Sequence, residues 1–410
     1  MKANLFGIIN VAVGTLIVTF LNYEAEMIIT VVCDVYGKEN NGTVIAAKNL
    51  INSLKEKGHT VRVLCADKAS AGQEGFYICP TYNFGKLINN YVKKVGVELA
   101  KPVKDIIIKA LDGVDCVHIM VPLALGLATM KVAREKNLPV TAGFHMQAQN
   151  LTWYFKLNNF KVANRLVYKY IYKHLYRYVD AIHYPTQFIK DKFESNIKHE
   201  TPGYVISNGV HEYVKRRATP RPAEWGDKYV ILSTGRYARE KCQDTLIKAI
   251  KYSKYKDDLL VVLGGTGPKE KYYRKLASKV PGHVMFNFFS RTEIIDVLNA
   301  CDMYVHPAQF ELEGISCTEA ITCGKLTIVS DSDESATKGF AVNKNCIFKC
   351  RNPKDLARVI DYWIEHKEEA KVVADEYLNS AKSFNQAECM DKMEQMILDA
   401  IKNHNTKDDK

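Results

Sequence analysis

Glu311 and Glu319 are two carboxylates with seven residues between them, directly after the apolar run MYVHP. Gly314 lies between them, and the pattern predicts a helix that begins near Ile315 or Ser316. The first turn of a helix offers unpaired N–H groups and a positive dipole end, which suit a phosphate or a sugar hydroxyl. Glu319, about one turn inside the helix, can accept hydrogen bonds from a diol such as ribose. Two solvated surface acids are the alternative, and Gly314 and the apolar strand favour a binding site.

Arg236 and Lys241 are a second group of residues that could bind a ligand. They lie in GRYAREK, where the strand-like run KYVILSTG ends and a helix is predicted to begin. Two cations beside a helix N-terminus suit a pyrophosphate, and arginine binds phosphate in a bidentate manner. A pair of ordinary surface cations is the alternative that these residues leave open. The segment GGTGPKE at 264–270 lacks both G-x-G-x-x-G and the Walker Lys-Ser/Thr, so we predict a turn there.

The first half of the chain contributes Gly42 and His145. Asn41-Gly42 lies in the loop after the first strand-like run, where glycine allows a ligand to approach the backbone closely. His145 follows the strand-like run PVTAGF, where an imidazole can donate to a substrate hydroxyl or a leaving phosphate. A tight turn and a structural histidine are the respective alternatives. His118, inside CVHIMV, is predicted to be structural.

Two α/β domains are needed to position these residues. From Met27 onward, apolar runs of strand length alternate with amphipathic runs of helix length, which indicates a parallel sheet covered on both faces. The alternation restarts after a charged, proline-containing segment near residue 215. We therefore predict two Rossmann-like, doubly wound domains that face each other across a cleft, with ligands at the carboxyl ends of the strands. Their ranges are 27–214 and 215–385, and a C-terminal helix and polar tail occupy 386–410.

The N-terminal residues 1–26 include an almost wholly apolar run at 5–21, near the lower limit of about 17 residues for a membrane span. A signal anchor, a cleaved signal peptide and a mis-assigned start are the three interpretations. The segment NYEAE at 22–26 is a poor cleavage site, which argues against the second. Met27 directly precedes a strand-like run, where such a domain would begin, so the first and third interpretations are retained.

The net charge of +11 indicates an anionic partner: a phosphorylated ligand, a nucleic acid or an anionic membrane surface. Residues 161–177 carry cations and tyrosines at steps of four, which form two adjacent rows on a helix. Upstream lie Trp153, Tyr154 and Phe155, and basic residues beside aromatic ones are typical of a membrane-surface helix. A solvated basic face with the tyrosines in the core is the alternative. The basic row is Lys161, Arg165, Lys169, Lys173 and Arg177, and the tyrosines are Tyr168, Tyr172 and Tyr176.

The 11 cysteines are scattered and odd in number, without the paired spacing of a zinc site. This usage favours a reducing compartment and no structural metal. We expect a cytoplasmic protein, peripheral at the inner face of the membrane, with an N-terminal anchor as an open possibility.

These segments together resemble the retaining glycosyltransferases of family 4, which have the GT-B fold. The resemblance extends from Met27 to about residue 400 and includes ISNGV at 206–210 and the G-R-x-x-x-x-K segment. Bacterial enzymes that glucosylate diacylglycerol look most similar within the family. The resemblance implies a nucleotide-sugar co-substrate, with UDP-glucose favoured, a membrane lipid acceptor and no metal or other cofactor. The leaving diphosphate would help to deprotonate the acceptor, and positive groups around it would supply most of the catalysis.

By the same resemblance, Arg236 and Lys241 would hold the donor diphosphate and Glu319 the ribose. Glu311, the N–H groups near Gly314 and Ile315, and His145 would face the donor sugar, and Gly42 would border the phosphate. The chain departs from the family pattern at Glu313, where an aromatic residue is common, and also at Asn41 and Cys242, where glycine is usual. These changes put the identity of the sugar in question more than the reaction class.

Two other functions compete with transfer to a lipid. One is transfer to a soluble glycan or small metabolite. The other, from a different class, is a non-catalytic basic protein that binds nucleic acid, against which the chain offers no recognisable nucleic-acid motif.

Overall fold

The structure is a computed structural model that describes residues 26–37, 42–83, 85, 99–152, 160–280 and 282–408. The apolar run at 5–21, Asn41 and the aromatic residues Trp153, Tyr154 and Phe155 lie outside these ranges.

The N-terminal domain is built on a parallel sheet in which the described residues form seven strands in the order β3-β2-β1-β4-β5-β6-β7. The inner strands are largely buried because helices cover both faces, as their near-continuous apolar sequences predict, whereas the two edge strands are partly exposed. Their bounds are β1 Ile28–Val32, β2 Thr60–Cys65, β3 Phe76–Ile78, β4 Cys116–Ile119, β5 Val140–Gly143, β6 Ala181–Tyr184 and β7 Gly203–Val205. The helices are α1 Gly42–Glu56, α2 Lys104–Ala110, α3 Ala124–Glu135, α4 Ala148–Thr152, α5 Lys161–His174 and α6 Gln187–Ile197.

The C-terminal domain repeats this architecture, with six strands among the described residues in the order β10-β9-β8-β11-β12-β13. The strands are β8 Tyr229–Thr234, β9 Leu259–Gly264, β10 Val284–Asn287, β11 Met303–His306, β12 Thr327–Ser330 and β13 Ile347–Phe348. The helices are α7 Gln243–Ala249, α8 Glu270–Ala277, α9 Glu293–Ala300, α10 Ile315–Thr322, α11 Pro353–Glu365 and α12 Lys367–Ser380. The predicted pair of Rossmann-like domains is confirmed.

The last helix, α13 Gln386–Asp408, returns to the N-terminal domain and packs against α1, β5 and β6. Its Met393, Met396 and Ile397 share an apolar core with Ile29 of β1. The predicted C-terminal helix is present, and polar residues continue it to Asp408. Burial of the apolar stripe stabilises the helix well beyond what its polar end would favour alone.

Two stretches of chain cross between the domains side by side. Residues 206–210, named here the crossover segment, leave β7, and the return stretch 381–386 leads into α13. Val210 forms a parallel bridge with Asn385. Gly209 has a φ of 78°, and a Cβ there would lie 2.7 Å from Gln386 Cα, so this close contact requires glycine. The crossing is therefore tightly packed.

Among the residues that the structure describes, none of the helices combines the length and the apolar character needed to span a membrane. All 11 cysteines are unpaired thiols, and each is buried except Cys350, which is partly buried.

Candidate functional site

The order of strands in the C-terminal sheet reverses between β8 and β11, which are neighbours in space. Loops that leave neighbouring strands at such a reversal turn to opposite faces, and the crevice between them is where ligands bind in this type of fold. The 235–241 segment follows β8, and the 307–314 segment follows β11. The fold therefore brings the two predicted groups of site residues to one crevice.

Lys241 and Glu311 meet in this crevice as an ion pair between Nζ and Oε1. His306, at the end of β11, has its Nε2 2.8 Å from the same carboxylate oxygen. Burial opposes ionisation, but Lys241 and His306 together lower the pKa of Glu311 to about 2. Glu311 is therefore a largely buried carboxylate, with its side chain 11% exposed, that stays ionised and can accept hydrogen bonds from hydroxyl groups.

Gly314 ends the 307–314 loop, and α10 begins at Ile315, as the sequence predicts. The φ of Gly314 is 90°, and a Cβ there would lie 2.7 Å from Thr337 Cγ2. Only glycine fits this turn without strain. The turn directs the first N–H groups of α10 into the crevice, where the positive end of the helix suits an anion.

Gly42 faces this helix from the other domain. A Cβ on Gly42 would lie 3.7 Å from Ile315 Cδ1, so the start of α1 lies against the start of α10. Two helix N-termini from different domains thus meet at one point of the cleft. An anionic group bound there would contact both domains.

Glu319 lies inside α10 and is 5% exposed. Arg291 Nη1 lies 2.6 Å from Glu319 Oε1 and forms an ion pair. Burial raises the pKa of Glu319, and the positive charge of Arg291 opposes this shift. A ribose diol that reached Glu319 would therefore share the carboxylate with Arg291. This partner could not be predicted from the sequence, because 27 residues lie between the two in the chain.

Arg236 forms an i,i+4 ion pair with Glu240, with Nη2 3.0 Å from Oε1. Two glycines of the 264–270 segment support the backbone around it. A Cβ on Gly265 would lie 2.1 Å from the carbonyl oxygen of Gly235, and one on Gly267 would lie 2.5 Å from that of Tyr237. The segment predicted to be a turn therefore also shapes the site, because it packs directly under the loop that carries Arg236.

His145 lies at the carboxyl end of β5 and is 8% exposed. Its Nε2 is buried and has no hydrogen-bond partner among the residues that the structure describes. Burial, reinforced by the nearby His183 and His118, lowers the pKa of His145 well below its usual range, so the ring is neutral. A Cβ on Gly143 would lie 2.5 Å from the ring, which explains the glycine at the end of β5. A neutral imidazole with an unsatisfied nitrogen is suited to a polar ligand.

The residues after His145 bridge the cleft. Gln147 Nε2 donates to the backbone carbonyl of Glu311 at 3.0 Å. Gln149 and Lys192 both contact the carboxylate of Glu334, which belongs to the loop DSDES. The structure places Glu334 at the contact between the domains, so the cleft is closed on this side.

Four cations of the predicted basic row lie on α5, whereas Arg177 lies in a short turn beyond the end of this helix at His174, so the row does not form one continuous helix face. Arg165 is half-buried and donates to the carbonyl oxygen of Asn196, whereas the other four cations are exposed. Tyr168 and Tyr176 are buried, so they join the core, which is the alternative the sequence left open. Four other large apolar side chains are exposed beside the cations: Phe160 at 61%, Val162 at 72%, Leu166 at 61% and Tyr170 at 54%.

Two protein-family profiles match the chain, one on each domain. The profile described as Glycosyltransferase Family 4 matches residues 40–212, and the one described as Glycosyl transferases group 1 matches residues 215–377. The chain is a family 4 glycosyltransferase with the GT-B fold. The ranges of the two profiles meet at the crossover from the first domain to the second.

Individual relatives agree with this assignment. The chain is 30% identical over 145 residues to an uncharacterized glycosyltransferase of Bacillus subtilis, which covers 34% of this chain and 40% of that protein. It is 22% identical over 317 residues to the alpha-monoglucosyldiacylglycerol synthase of Streptococcus pneumoniae, which covers 72% of this chain and 69% of that protein. The crystal structure of Anabaena HepE in complex with UDP-glucose has a similar fold, with a TM-score of 0.70, 16% identity and coverage of 91% of this chain and 99% of that one.

Proposed function

We propose that this glycosyltransferase moves a hexose from a nucleotide-sugar donor, with UDP-glucose favoured, to a membrane lipid such as diacylglycerol, with retention of configuration. The observation that carries the proposal is the exposed face of α5, named here the membrane face. Its members are Phe160, Lys161, Val162, Leu166, Lys169, Tyr170 and Lys173. The similarity to a synthase whose name specifies a diacylglycerol glycolipid supports the same acceptor class.

A membrane surface fits this face on physical grounds. Lysine heads are drawn to anionic lipid at about 1 kcal/mol each. Apolar side chains such as Val162 and Leu166, both more than half exposed, gain by leaving water for the boundary of the acyl chains. A face that only had to remain in water would not need large apolar side chains among its lysines.

The membrane face is also connected to the cleft. Tyr168, on the buried side of α5, donates from its hydroxyl to Gln149 Oε1 at 3.2 Å. Thr152, at the end of α4, donates to Asn164 Oδ1 at 2.6 Å. The short helix α4 thus links the buried side of α5 to the segment that carries His145.

In the proposed reaction, the donor diphosphate occupies the region of Arg236, Lys241 and the first turn of α10. Lys241 is held by Glu311, which keeps the ammonium group in the crevice before the donor arrives. Negative charge that develops on the leaving diphosphate is stabilised by these fixed positive groups. The neutral His145 and the ionised Glu311 are placed to bind sugar hydroxyls, one as donor or acceptor and one as acceptor.

The proposal is tested with purified protein, UDP-glucose and vesicles that contain diacylglycerol, with and without anionic lipid. A triple variant, Lys161→Glu, Lys169→Glu and Lys173→Glu, reverses the charge of the membrane face. We expect it to lose vesicle binding and about 90% of glycolipid formation, because the electrostatic attraction becomes repulsion. The matched control, Lys271→Glu, Lys275→Glu and Lys279→Glu, makes the same charge change at exposed positions in and just after α8 and should retain both.

Two outcomes would overturn this proposal at different levels. Equal loss in both triple variants, or transfer to soluble acceptors that is indifferent to anionic lipid, would remove the membrane acceptor. Absence of turnover with every common nucleotide sugar, together with no stabilisation by UDP, would remove the assignment of the donor.

A further inference from the structure

Glu313 lies near the end of the 307–314 loop, directly before Gly314, yet its side chain does not bond to the residues of the donor crevice. Its side chain reaches the crossover segment of the N-terminal domain. Asn208 Nδ2 donates to Glu313 Oε2 at 2.5 Å, and the backbone N–H of Asn208 donates to the same oxygen at 3.2 Å. The hydroxyl of Ser207 donates to Oε1. Glu313 is 2% exposed, so the contact is sealed from water.

All of these partners donate hydrogen bonds, so they fit the ionised form of Glu313. A carboxylate accepts through both oxygens, whereas a protonated carboxyl must place its own O–H against a donor. A buried carboxylate would be costly without such partners. The crossover segment is itself braced, since the N–H of Gly209 donates to Ser207 Oγ at 3.0 Å and Gly209 packs on Gln386.

We propose that Glu313 is a positioning residue that ties the donor-sugar loop to the crossover segment, so that Glu311 is held in place only when the domains have the arrangement seen here. The inference rests on the proposed donor site. The N–H of Glu311 donates to the carbonyl of Glu334 within its own domain, whereas the carbonyls of Glu311 and Leu312 accept from Gln147 and Thr186 of the other domain. Glu313 adds side-chain hydrogen bonds to the crossover segment. A relative movement of the domains would pull the loop through Glu313 as well as through these backbone contacts.

The contact responds to pH as well as to domain movement. Burial raises the pKa of Glu313 to about 7, against the opposing effect of its hydrogen bonds, and the charge of Glu311 raises it further. Cys389 of α13 faces it from the other side, and its pKa is raised mainly by burial and also by the charge of Glu313. Lys392 and Glu388 lie near Cys389 on the same helix. Near neutral pH the contact therefore alternates between a form with all donors satisfied and a protonated form that is weaker.

The test compares Glu313→Gln with Asp361→Asn. Asp361 is a buried carboxylate that accepts from the Ser253 hydroxyl and from the backbone N–H of Lys254, remote from the crevice. Asp361→Asn also replaces a buried carboxylate by an amide, but Asp361 does not link the two domains. We expect Glu313→Gln to lower kcat for donor turnover by about 10- to 100-fold with little change in KM, because misplacement of a reacting group lowers kcat. Asp361→Asn should lower the melting temperature and leave kcat unchanged.

A pH profile and amide hydrogen exchange separate a positioning role from a merely structural one. In the wild type, kcat/KM for UDP-glucose should rise through a pH of about 7, and Glu313→Gln should lack this limb. Exchange in 203–210 and 307–316 should increase together in Glu313→Gln alone. A variant with wild-type kcat, pH profile and exchange would overturn the inference while leaving the donor site standing. If the wild type neither binds nor turns over UDP-glucose, the proposed donor site is wrong. The change in hydrogen exchange in both segments then still tests whether Glu313 links the loop to the crossover segment.

Discussion

Glu311 and Glu319 have the same side chain but are held in opposite electrostatic environments. Lys241 and His306 outweigh the effect of burial at Glu311 and lower its pKa to about 2. At Glu319 burial outweighs Arg291, and the pKa is raised. Glu311 is thus a fixed anion at any physiological pH, whereas Glu319 depends on its partner. The two ends of the donor would meet chemically different carboxylates.

A pH-dependent stability follows from Glu313. Its pKa is about 7 in the folded protein against an ordinary value of 4.5, so the folded state binds a proton that the unfolded state has released. Stability from this group is fully present below a pH of 4.5 and is lost as the pH rises through about 7. The shift corresponds to about 3 kcal/mol. We expect the unfolding free energy of the wild type to fall by about this amount relative to Glu313→Gln between these limits.

Urea unfolding of both proteins at a series of pH values measures this difference, and the comparison cancels the titration of the remaining groups. Parallel curves for the two proteins would contradict the assigned environment of Glu313. The ionised form of Glu313 therefore fits the hydrogen-bond donors of the crossover segment best, yet its burial lowers the stability of the folded protein. Strongly shifted pKa values of this kind are common among buried groups with a role in function.

Little of this residue-scale chemistry could be predicted from the sequence. The spacing of Glu311 and Glu319 identified the crevice, because both lie on one loop and helix. The partners of Glu313 are 105 residues away in the chain, and nothing local to either segment indicates that they meet. The departure at Glu313 was expected to affect the choice of sugar, whereas the structure directs this side chain to the other domain.

At the scale of elements, Gly314 determines where α10 begins. A side chain there would be strained by the φ of 90° and would contact Thr337 Cγ2 at 2.7 Å. Gly314→Ala should lower the unfolding free energy by about 2 kcal/mol or more and weaken the stabilisation by UDP, because the first turn of α10 shifts. Thermal unfolding with and without UDP measures both effects.

Gly339 supplies the control for this substitution. It lies in the same domain, its φ is not in the left-handed region, and a Cβ there would have no heavy atom within 4 Å. Gly339→Ala should be close to neutral in both assays. Equal behaviour of the two alanine variants would show that the start of α10 is not constrained by Gly314.

Elements were easier to predict than residues, for a physical reason. Parallel strands covered by helices on both faces are continuously apolar, so the runs MIITVVC and KYVILSTG can be recognised as strands from the sequence. The tyrosines of α5 could not be placed by their spacing alone, since that spacing describes either a core row or a surface row.

At the scale of the whole molecule, the proposed donor site would belong to both domains. Gly42 and Ile315 meet across the cleft, and Glu334 receives Gln149 and Lys192 from the opposite domain. Glu313 adds a further link at the crossover segment. If the proposed function is correct, the donor and a lipid acceptor would both be bound between domains that these contacts hold in one arrangement. The two-domain form follows from the repeated strand pattern, but these contacts depend on how the domains are oriented, which the pattern does not specify.

The most direct test of the central claim is the product formed from UDP-glucose and diacylglycerol vesicles, analysed by proton NMR at the anomeric carbon. The account predicts a glucosyl diacylglycerol with the α configuration of the donor. It also predicts that Arg236→Ala lowers the rate by about 100-fold, because a positive group beside the leaving diphosphate is removed, and that Glu319→Ala weakens donor binding. A β-linked product, or no glycolipid with any nucleotide sugar while the protein remains folded, would contradict it.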